Sequence, residues 1–336
     1  MNNGKKILVM GGTGAMGVYL VPKLAQMGYR VDVISLDKAG SDNEKVTYIQ
    51  ADAKDDVYLK EVLKHQYDAI VDFLLYYTKE FYARYEMMLK STGHYMFFSS
   101  YRVYADSPVI TEESPRLLDV SADKRFLAEE EKEYSLYKAR QEDILRASGF
   151  DNWTIVRPAI TYSKYRFQLV TLEANVVVYR ALKGLPVLIP REALPIQGTM
   201  SWAGDVADML SRLVLNTAAY GETYTVATAE HHTWQEIADY YKEIIGLEYI
   251  PVDTETYLSF FGEWSVYAGY QLKYDRCFNR VIDNSKVLGA TGLKQSDFMT
   301  LKQGLKKELL SLPENTVWSE TPINAKVDEF LKRKSN

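Results

Sequence analysis

The sequence predicts an α/β fold, in which a doubly wound parallel sheet carries a smaller mixed α/β lobe in the C-terminal half. Three observations predict it: short apolar runs alternate with helix-length segments, a glycine-rich turn directly follows the first run, and the alternation breaks down after Ile160. Strands that alternate with helices form parallel sheets, because each crossover helix returns the chain to the same edge.

The strands of the predicted sheet follow one another through the first 160 residues. In chain order they are KILVMG, RVDVISL, VTYIQAD, DAIVDFLLY, HYMFFSS and NWTIVRPAI. Their near-continuous apolar character indicates burial on both faces of the sheet. The segment ETYTVAT, residues 222–228, has the same character, and we expect it to return to this sheet.

Composition and charge exclude several classes of protein. The chain has 336 residues and a net charge of -5, and its basic residues are spread thinly, so nucleic acid is not an expected partner. The single cysteine, Cys277, cannot form an intramolecular disulfide. The N-terminus has no signal-peptide pattern, and no apolar run is long enough for a membrane span. We therefore expect a cytoplasmic protein without a membrane segment.

The glycine-rich turn after the first strand predicts a dinucleotide site. VMGGTGAMGVYL satisfies both G-x-G-x-x-G and G-x-x-G-x-x-G, between a predicted strand and a predicted helix. Glycine permits the tight turn, and it lets a pyrophosphate approach the free N–H groups at the start of the helix. The loop contacts that we predict are Gly11, Thr13, Gly14, Ala15, Met16 and Gly17.

The end of the second strand bears on the choice between NAD and NADP. Ser35 stands where an acid usually binds the adenosine ribose, and Asp37 follows two residues later beside Lys38. Asp37 repels a 2′-phosphate, whereas Ser35 and Lys38 can accept one. The pattern favours NAD slightly and leaves NADP open. After the third strand, Asp52 and Ala53 are expected near the adenine, although Asp52 is equally suited to cap a helix.

Tyr134 and Lys138 lie four residues apart in a predicted helix, EYSLYKARQEDIL, and therefore share one helix face. An ammonium near a phenol lowers the phenol pKa, which suits a general base. Ser100 ends the predicted strand HYMFFSS, at the edge of the sheet where open α/β proteins bind ligands. The Ser100 hydroxyl can hold the substrate oxygen from which Tyr134 removes a proton.

With these features the sequence resembles the extended short-chain dehydrogenase/reductase superfamily, in its NAD-dependent epimerase/dehydratase branch. The motifs that carry the resemblance occur in family order over nearly the whole chain: GGTGAMG, ADAKD, FFSSYRVYAD, EYSLYKARQE, TIVRPAITY, WAGDVADML and DNSKVLG. The resemblance implies a Rossmann-type NAD(P)-binding domain over residues 1–160, to which 199–230 return. Residues 161–198 and 231–330 would then form the substrate-binding lobe.

The resemblance also implies roles for individual residues. Tyr134 becomes the catalytic acid/base, Lys138 its pKa partner and a ribose ligand, and Ser100 the ligand of the substrate hydroxyl. Leu74, Pro158 and Ala159 join the residues named above as expected cofactor contacts. The implied reaction is hydride transfer from a carbon of a nucleotide sugar to NAD, through a transient ketone. A homodimer is also implied.

The sequence departs from the family at positions that concern the substrate. Tyr101 and Arg102 replace the Asp-Glu pair of the 4,6-dehydratases, which favours an epimerase or oxidoreductase over a dehydratase. Gly198 stands in place of an arginine that binds the nucleotide diphosphate, and Ile160 in place of an asparagine. The substrate contacts that we expect instead are Tyr101, Arg102, Arg191 and Trp202, with Lys164 and Arg166 as further cations.

Two other functions remain open at the level of sequence. A sub-branch that shares T-W-x-x-I and DNSK with this chain includes chloroplast relatives that bind RNA stem-loops, which suggests a cofactor-bound binding protein as one alternative. The other is a reductase of a non-nucleotide carbonyl. His231 and His232 lack neighbours at metal-ligand spacing, so no metal site is expected.

Overall fold

The computed structural model describes residues 4–164, 166–313 and 315–335. Its strands, in chain order, are β1 (Lys6–Met10), β2 (Arg30–Ser35), β3 (Val46–Gln50), β4 (Tyr67–Asp72), β5 (Thr92–Phe98), β6 (Trp153–Pro158), β7 (Ile160–Tyr162), β8 (Gln168–Leu169), β9 (Leu172–Glu173), β10 (Val187–Pro190), β11 (Gln197–Gly198), β12 (Met200–Trp202), β13 (Glu222–Val226), β14 (His232–Thr233) and β15 (Tyr249–Val252).

The α-helices of the same residues alternate with the strands in the N-terminal half and dominate the C-terminal half. They are α1 (Gly17–Gln26), α2 (Asp56–Leu63), α3 (Thr78–Tyr82), α4 (Tyr85–Lys90), α5 (Leu117–Val120), α6 (Lys124–Leu127), α7 (Tyr134–Arg146), α8 (Ala174–Leu182), α9 (Ala203–Leu213), α10 (Trp234–Ile245), α11 (Thr254–Ser259), α12 (Ser265–Gln271), α13 (Ser285–Thr291), α14 (Leu301–Leu310) and α15 (Pro322–Ser335).

A seven-stranded parallel sheet organises the N-terminal half, in the order β13-β6-β5-β4-β1-β2-β3. The chain runs outward from β1 to β2 and β3, and then crosses back to β4 on the other side of β1. The predicted fold class is confirmed, and so is the return of 222–228 to the sheet, since β13 pairs with β6. The reversal beside β1 opens a crevice at the carboxyl ends of β1 and β4, where sheets of this kind bind ligands.

Apolar side chains cover both faces of the sheet. One buried cluster joins the strands to α1 and α9, and a second joins them to α2, α3 and α4. Strand positions such as Leu8, Val9 and Ile70 are fully buried, as their near-continuous apolar runs predict. The sheet is therefore a rigid platform for the residues that follow its carboxyl ends.

The lobe is built from short paired strands and helices around a third cluster, which includes Trp234, Tyr241 and Tyr257. Its strands pair locally, as in β10 with β15 and β11 with β14. Helix α13 packs on α9 and β13, and Val287 and Phe298 enter the core of the sheet side. The assignment of residues 231–330 to the lobe stays a prediction. Within this range, α13 and Phe298 contact the sheet side of the molecule.

A helix must be long and continuously apolar to cross a bilayer. Among residues 4–164, 166–313 and 315–335, none of the helices combines the length and apolar character that crossing a membrane requires.

Candidate active site at the carboxyl edge of the sheet

The glycine turn is closed on its inner side by the backbone itself. A Cβ on Gly17 would overlap the carbonyl of Gly12, and a Cβ on Gly12 would lie 2.6 Å from a methyl of Val33. Gly11 has φ +77°, and its N–H donates to the carbonyl of Ile34 at 2.8 Å. Small residues are thus required for β1, β2 and α1 to pack this closely.

The outer side of the same turn is open. A Cβ on Gly14 would meet only the Gly11 carbonyl, at 3.5 Å. Helix α1 begins at Gly17, and its N-cap residue Met16 makes no side-chain capping bond. The N–H groups of Val18 and Tyr19 already donate to the carbonyls of Gly14 and Met16. The open outer side of the turn, at the N-terminal end of α1, fits the diphosphate of a dinucleotide.

Ser35 and Asp37, at the end of β2, form a small polar network with Thr13 of the glycine turn. The hydroxyls of Thr13 and Ser35 are 2.6 Å apart, and Thr13 Oγ1 donates to Asp37 Oδ2 at 2.7 Å. The Asp37 carboxylate thus lies next to the dinucleotide loop, while Lys38 is exposed. After β3, Asp52 Oδ1 accepts from the Lys54 N–H at 2.8 Å and Asp55 caps α2, so Asp52 lies in the turn before that helix.

A cavity of about 350 Å³ opens at the carboxyl ends of β4, β5 and β6. It brings together the three residues that we predict to be catalytic: Ser100, Tyr134 and Lys138. Other predicted site residues that line it are Met16, Leu74, Tyr101, Arg102, Pro158, Ala159 and Arg166. The rest of its lining is Phe73, Leu75, Phe98, Ser99, Ile160, Gln168, Glu173, Gln271 and Arg276.

Local structure fixes the directions of the predicted catalytic residues. Ser100 ends the run after β5, and its Oγ accepts the Arg102 N–H at 3.2 Å, which starts a 3₁₀ turn over Tyr101–Val103. Tyr134 is the first residue of α7, where the Glu133 carboxylate caps the helix by accepting the Ser135 N–H at 3.3 Å. A side-chain acceptor at this position is the usual way in which a helix begins.

Lys138 is fully enclosed one turn further along α7. Its Nζ donates to the carbonyl of Phe98 at 2.7 Å and lies 4.8 Å from the centre of the Phe97 ring. Burial lowers the pKa of Lys138 to about 8, although the buried carboxylates of Asp72 and Glu142 act in the opposite direction. A lysine with this pKa can lose its charge near neutral pH.

Tyr134 has a different cationic neighbour. Burial raises the pKa of its phenol, whereas the Arg102 guanidinium, a hydrogen bond with Ser100 and the charge of Arg166 lower it. The Arg102 guanidinium carbon is 5.2 Å from the centre of the Tyr134 ring. The role of Lys138 as pKa partner of Tyr134 stays a prediction, and the cation stacked on the ring in this structure is Arg102.

A buried charge cluster forms the wall of the cavity on the lobe side. Arg276 Nη1 donates to the Tyr101 hydroxyl at 2.9 Å and also pairs with Asp275. Arg280 Nε donates to the other oxygen of Asp275 at 3.0 Å. Sequence reasoning missed Arg276, Gln168 and Glu173, because the lobe brings them to the cavity through contacts that have no periodic pattern in the sequence.

The structure places two expected substrate contacts away from this cavity. Trp202 packs edge-on against Tyr19, with ring centres 5.3 Å apart, and its Nε1 donates to Glu308 at 2.6 Å. Arg191 follows β10, where its backbone N–H donates to the Val252 carbonyl at 2.7 Å. Trp202 therefore joins α1 to α14, and neither residue is among the described residues that line the cavity.

Comparisons with known proteins agree with the fold and with a dinucleotide cofactor. A family model described as NAD(P)H-binding matches residues 11–177. The fold is similar to the UDP-glucose 4-epimerase of Thermus thermophilus in complex with NAD, with TM-score 0.66 and 18% identity over 93% of this chain and 100% of that one. It is also similar to the human epimerase family protein SDR39U1 with NADPH, with TM-score 0.65 and 16% identity over 91% and 100% of the two chains.

One relative found by sequence is named as a binding protein and not as an epimerase. The chloroplast stem-loop binding protein of 41 kDa b from Arabidopsis thaliana is 24% identical over 249 residues, which cover 70% of this chain and 61% of the relative. The match thus spans about three fifths of that relative's length.

Proposed function

We propose that this chain is a member of the extended short-chain dehydrogenase/reductase superfamily and acts as an epimerase or oxidoreductase on a secondary alcohol. Its match to an NAD(P)H-binding family model and its fold support this proposal. One observation supports this most strongly. Ser100, Tyr134 and Lys138 reach a single cavity at the edge of the sheet where the glycine turn lies. A protein that used the fold only as a scaffold would not need a buried lysine and a phenol in one cleft.

The side chains of the chain itself account for the proton chemistry. Tyr134, as the phenolate, takes the proton of the substrate hydroxyl, while Ser100 hydrogen-bonds the same oxygen and fixes its position. Lys138 is suited to hold the cofactor ribose once its bond to the Phe98 carbonyl is exchanged. NAD(P) bound at the glycine turn would supply the acceptor for a hydride from the carbon that carries this oxygen.

We propose a nucleotide sugar as the substrate, and cationic side chains support this choice. Arg166 lines the cavity and, in the described part of the chain, has no carboxylate partner. A free guanidinium of this kind suits a phosphate or a carboxylate of the substrate. The family resemblance adds the diphosphate of a nucleotide sugar as the natural anion, and it also underlies our proposal of a homodimer.

The same residues support an epimerase or oxidoreductase over a dehydratase. Tyr101 is buried and receives a hydrogen bond from Arg276, and Arg102 is paired with Glu133. Neither side chain can supply the acid and base that expel water. A transient ketone would then either be released or be reduced again from its other face.

An RNA-binding function is the second candidate, and the name of the Arabidopsis relative is the observation that favours it. The chain's net charge of -5 does not support extensive contacts with phosphates. RNA affinity that falls steeply with salt, without turnover of any alcohol, would favour this candidate.

Tyr134→Phe tests the proposed catalytic role. We expect the variant to bind NAD⁺ in calorimetry as wild type does, and to lose at least about 100-fold in the rate of NAD⁺ reduction or epimerisation over a panel of nucleotide sugars. Tyr137→Phe is the matched control, because its ring lies on the same helix 5.5 Å from that of Tyr134. Full activity in Tyr134→Phe would refute the assignment.

A further inference from the structure

We propose that Arg102 is the positioning residue that stabilises the Tyr134 phenolate, and that Glu133 and Asp275 hold it over the phenol ring. The inference rests on the proposed function, since it concerns the proton acceptor of that reaction. It assigns to an arginine of this chain part of the role that the family resemblance gives to Lys138 alone.

Both the backbone and the side chain of Arg102 are held in place. Its backbone N–H donates to Ser100 Oγ at 3.2 Å, so the residue starts from the end of the strand that also supplies the serine. Its side chain is only 16% exposed, and the guanidinium carbon lies 5.2 Å from the centre of the Tyr134 ring. This distance is within the range of cation–π contacts, and a buried guanidinium loses little of its field to solvent.

Two buried carboxylates hold the guanidinium in that place. Arg102 Nη2 donates to Glu133 Oε1 at 3.0 Å, and Arg102 Nε lies 3.6 Å from Asp275 Oδ2. Asp275 is shared with Arg276 and Arg280. Three guanidiniums thus face these two carboxylates, and a third carboxylate, that of Glu173, lines the cavity and interacts with Arg276. Arg102 is the guanidinium of this cluster that lies over the phenol ring.

Charged and titratable groups of both signs lie near the phenol. Those that contact it, lie beside it or line the same cavity, from its own helix, the 3₁₀ turn and the lobe, are Arg102, Glu133, Tyr137, Lys138, Arg166, Glu173 and Arg276. Among the interactions that lower the pKa of Tyr134, that of Arg102 is the largest, ahead of Ser100 and Arg166. The electrostatics therefore agree with the stacking geometry.

The two candidate cations differ in how they respond to pH. Burial lowers the pKa of Lys138 to about 8, so its ammonium loses its charge as the pH rises through that value. A guanidinium keeps its charge throughout the range in which a protein is stable. Arg102 can therefore support the phenolate at the alkaline pH at which Lys138 no longer does.

The test measures the Tyr134 phenol directly and needs no substrate. 3,5-Difluorotyrosine, whose phenol titrates near neutral pH, replaces Tyr134, and its ¹⁹F resonance is followed against pH with and without NAD⁺. We expect Arg102→Gln and Arg102→Met to raise the midpoint by about one pH unit, because the phenolate loses a cation at close range. Arg125→Met, at an exposed arginine, is the matched control and should leave the midpoint unchanged.

Lys138→Met, made in the same fluorotyrosine protein, separates the effects of Lys138 and Arg102 on the midpoint of the phenol titration. A smaller upward shift than in Arg102→Met supports the proposal. An unchanged midpoint in both Arg102 variants, or a shift in Lys138→Met alone, overturns it. Arg102→Gln retains an amide donor for Glu133, so the test survives if Arg102→Met fails to fold.

This readout is independent of the proposed function. If wild type turns over none of the alcohols offered while Arg102→Gln still shifts the midpoint, the function fails and the electrostatic role stands. If turnover is found, the pH midpoint of the oxidation rate should rise in Arg102→Gln by the same amount as the ¹⁹F midpoint. An unchanged ¹⁹F midpoint in an active enzyme would refute the role of Arg102 alone.

Discussion

Two glycines of the dinucleotide turn have opposite surroundings, although one motif contains both. The inner side of the turn at Gly17 touches the Gly12 carbonyl, whereas Gly14 faces outward with ordinary spacing to its nearest neighbour. A methyl group therefore has different consequences at the two positions, since close-packed backbone cannot yield cheaply.

We expect Gly17→Ala to lower the free energy of unfolding by about 1–3 kcal/mol, because its methyl group must displace the Gly12 carbonyl. Gly14→Ala should change the free energy of unfolding by less than about 0.5 kcal/mol and weaken NAD⁺ binding, since its methyl group enters the space that a diphosphate needs. Urea denaturation and calorimetry check the two results. Equal losses of stability in both variants would contradict this account of the turn.

At the scale of residues, local patterns made part of the site predictable. The i, i+4 spacing of Tyr134 and Lys138 and the position of Ser100 after a strand are local features, and one cavity contains all three residues. Arg276 has no such local signal, because a π-helical turn of the lobe carries it to Tyr101. The position of Arg102 after Ser100 predicted that it belongs to the site. Nothing in the sequence predicted that its guanidinium lies over the Tyr134 ring.

The carboxyl end of β2 is the element that bears on the choice between NAD and NADP. Asp37 follows this strand and accepts a hydrogen bond from the hydroxyl of Thr13 in the glycine turn, which keeps a carboxylate where we expect the adenosine ribose to bind. A second negative charge, such as a 2′-phosphate, is disfavoured there.

We expect Asp37→Asn to improve NADP⁺ affinity relative to NAD⁺ by about tenfold, which corresponds to about 1.4 kcal/mol. The variant removes the charge and keeps the size of the side chain, and calorimetric titration with each cofactor measures the ratio. Asp42→Asn, at an exposed position in the following loop, serves as the control. Parallel losses of affinity for both cofactors in Asp37→Asn would show that the residue only supports the turn.

Strands were easier to predict than the elements of the lobe, for a physical reason. A strand buried on both faces needs an unbroken apolar run, and the central strands β1 and β4 have one or nearly so. Strands β11 and β14 have only two residues each, and no periodicity can reveal a pair of that length. Trp202 was expected to contact substrate for the same reason: nothing local showed that Tyr19 and Glu308 would surround it.

The stability of the whole molecule should depend on pH through a histidine buried at the centre of the fold. His94 of β5 is fully enclosed, its Nε2 lies 2.8 Å from Thr154 Oγ1 on β6, and its Nδ1 accepts the Leu215 N–H at 3.0 Å. Since Nδ1 is an acceptor, the ring is neutral. Burial lowers the pKa of His94 to about 3.

The sign of the pH effect follows from this depressed pKa. Between pH 6.5, the ordinary histidine value, and the folded value of about 3, the unfolded chain binds a proton that the folded chain does not. The contribution of His94 to the free energy of unfolding is therefore complete above pH 6.5 and falls below it, by about 1.4 kcal/mol for each pH unit.

We expect urea denaturation at a series of pH values to show a shallower loss of stability below pH 6.5 in His94→Gln than in wild type. His232→Gln is the contrasting control, because hydrogen bonding to Glu230 raises the pKa of His232. Its stabilising contribution is complete below pH 6.5 and is lost only as the pH rises through the raised folded value, so removing it should leave the slope below pH 6.5 as in wild type. Identical slopes in wild type and His94→Gln would mean that the buried imidazole is protonated at no cost to the fold.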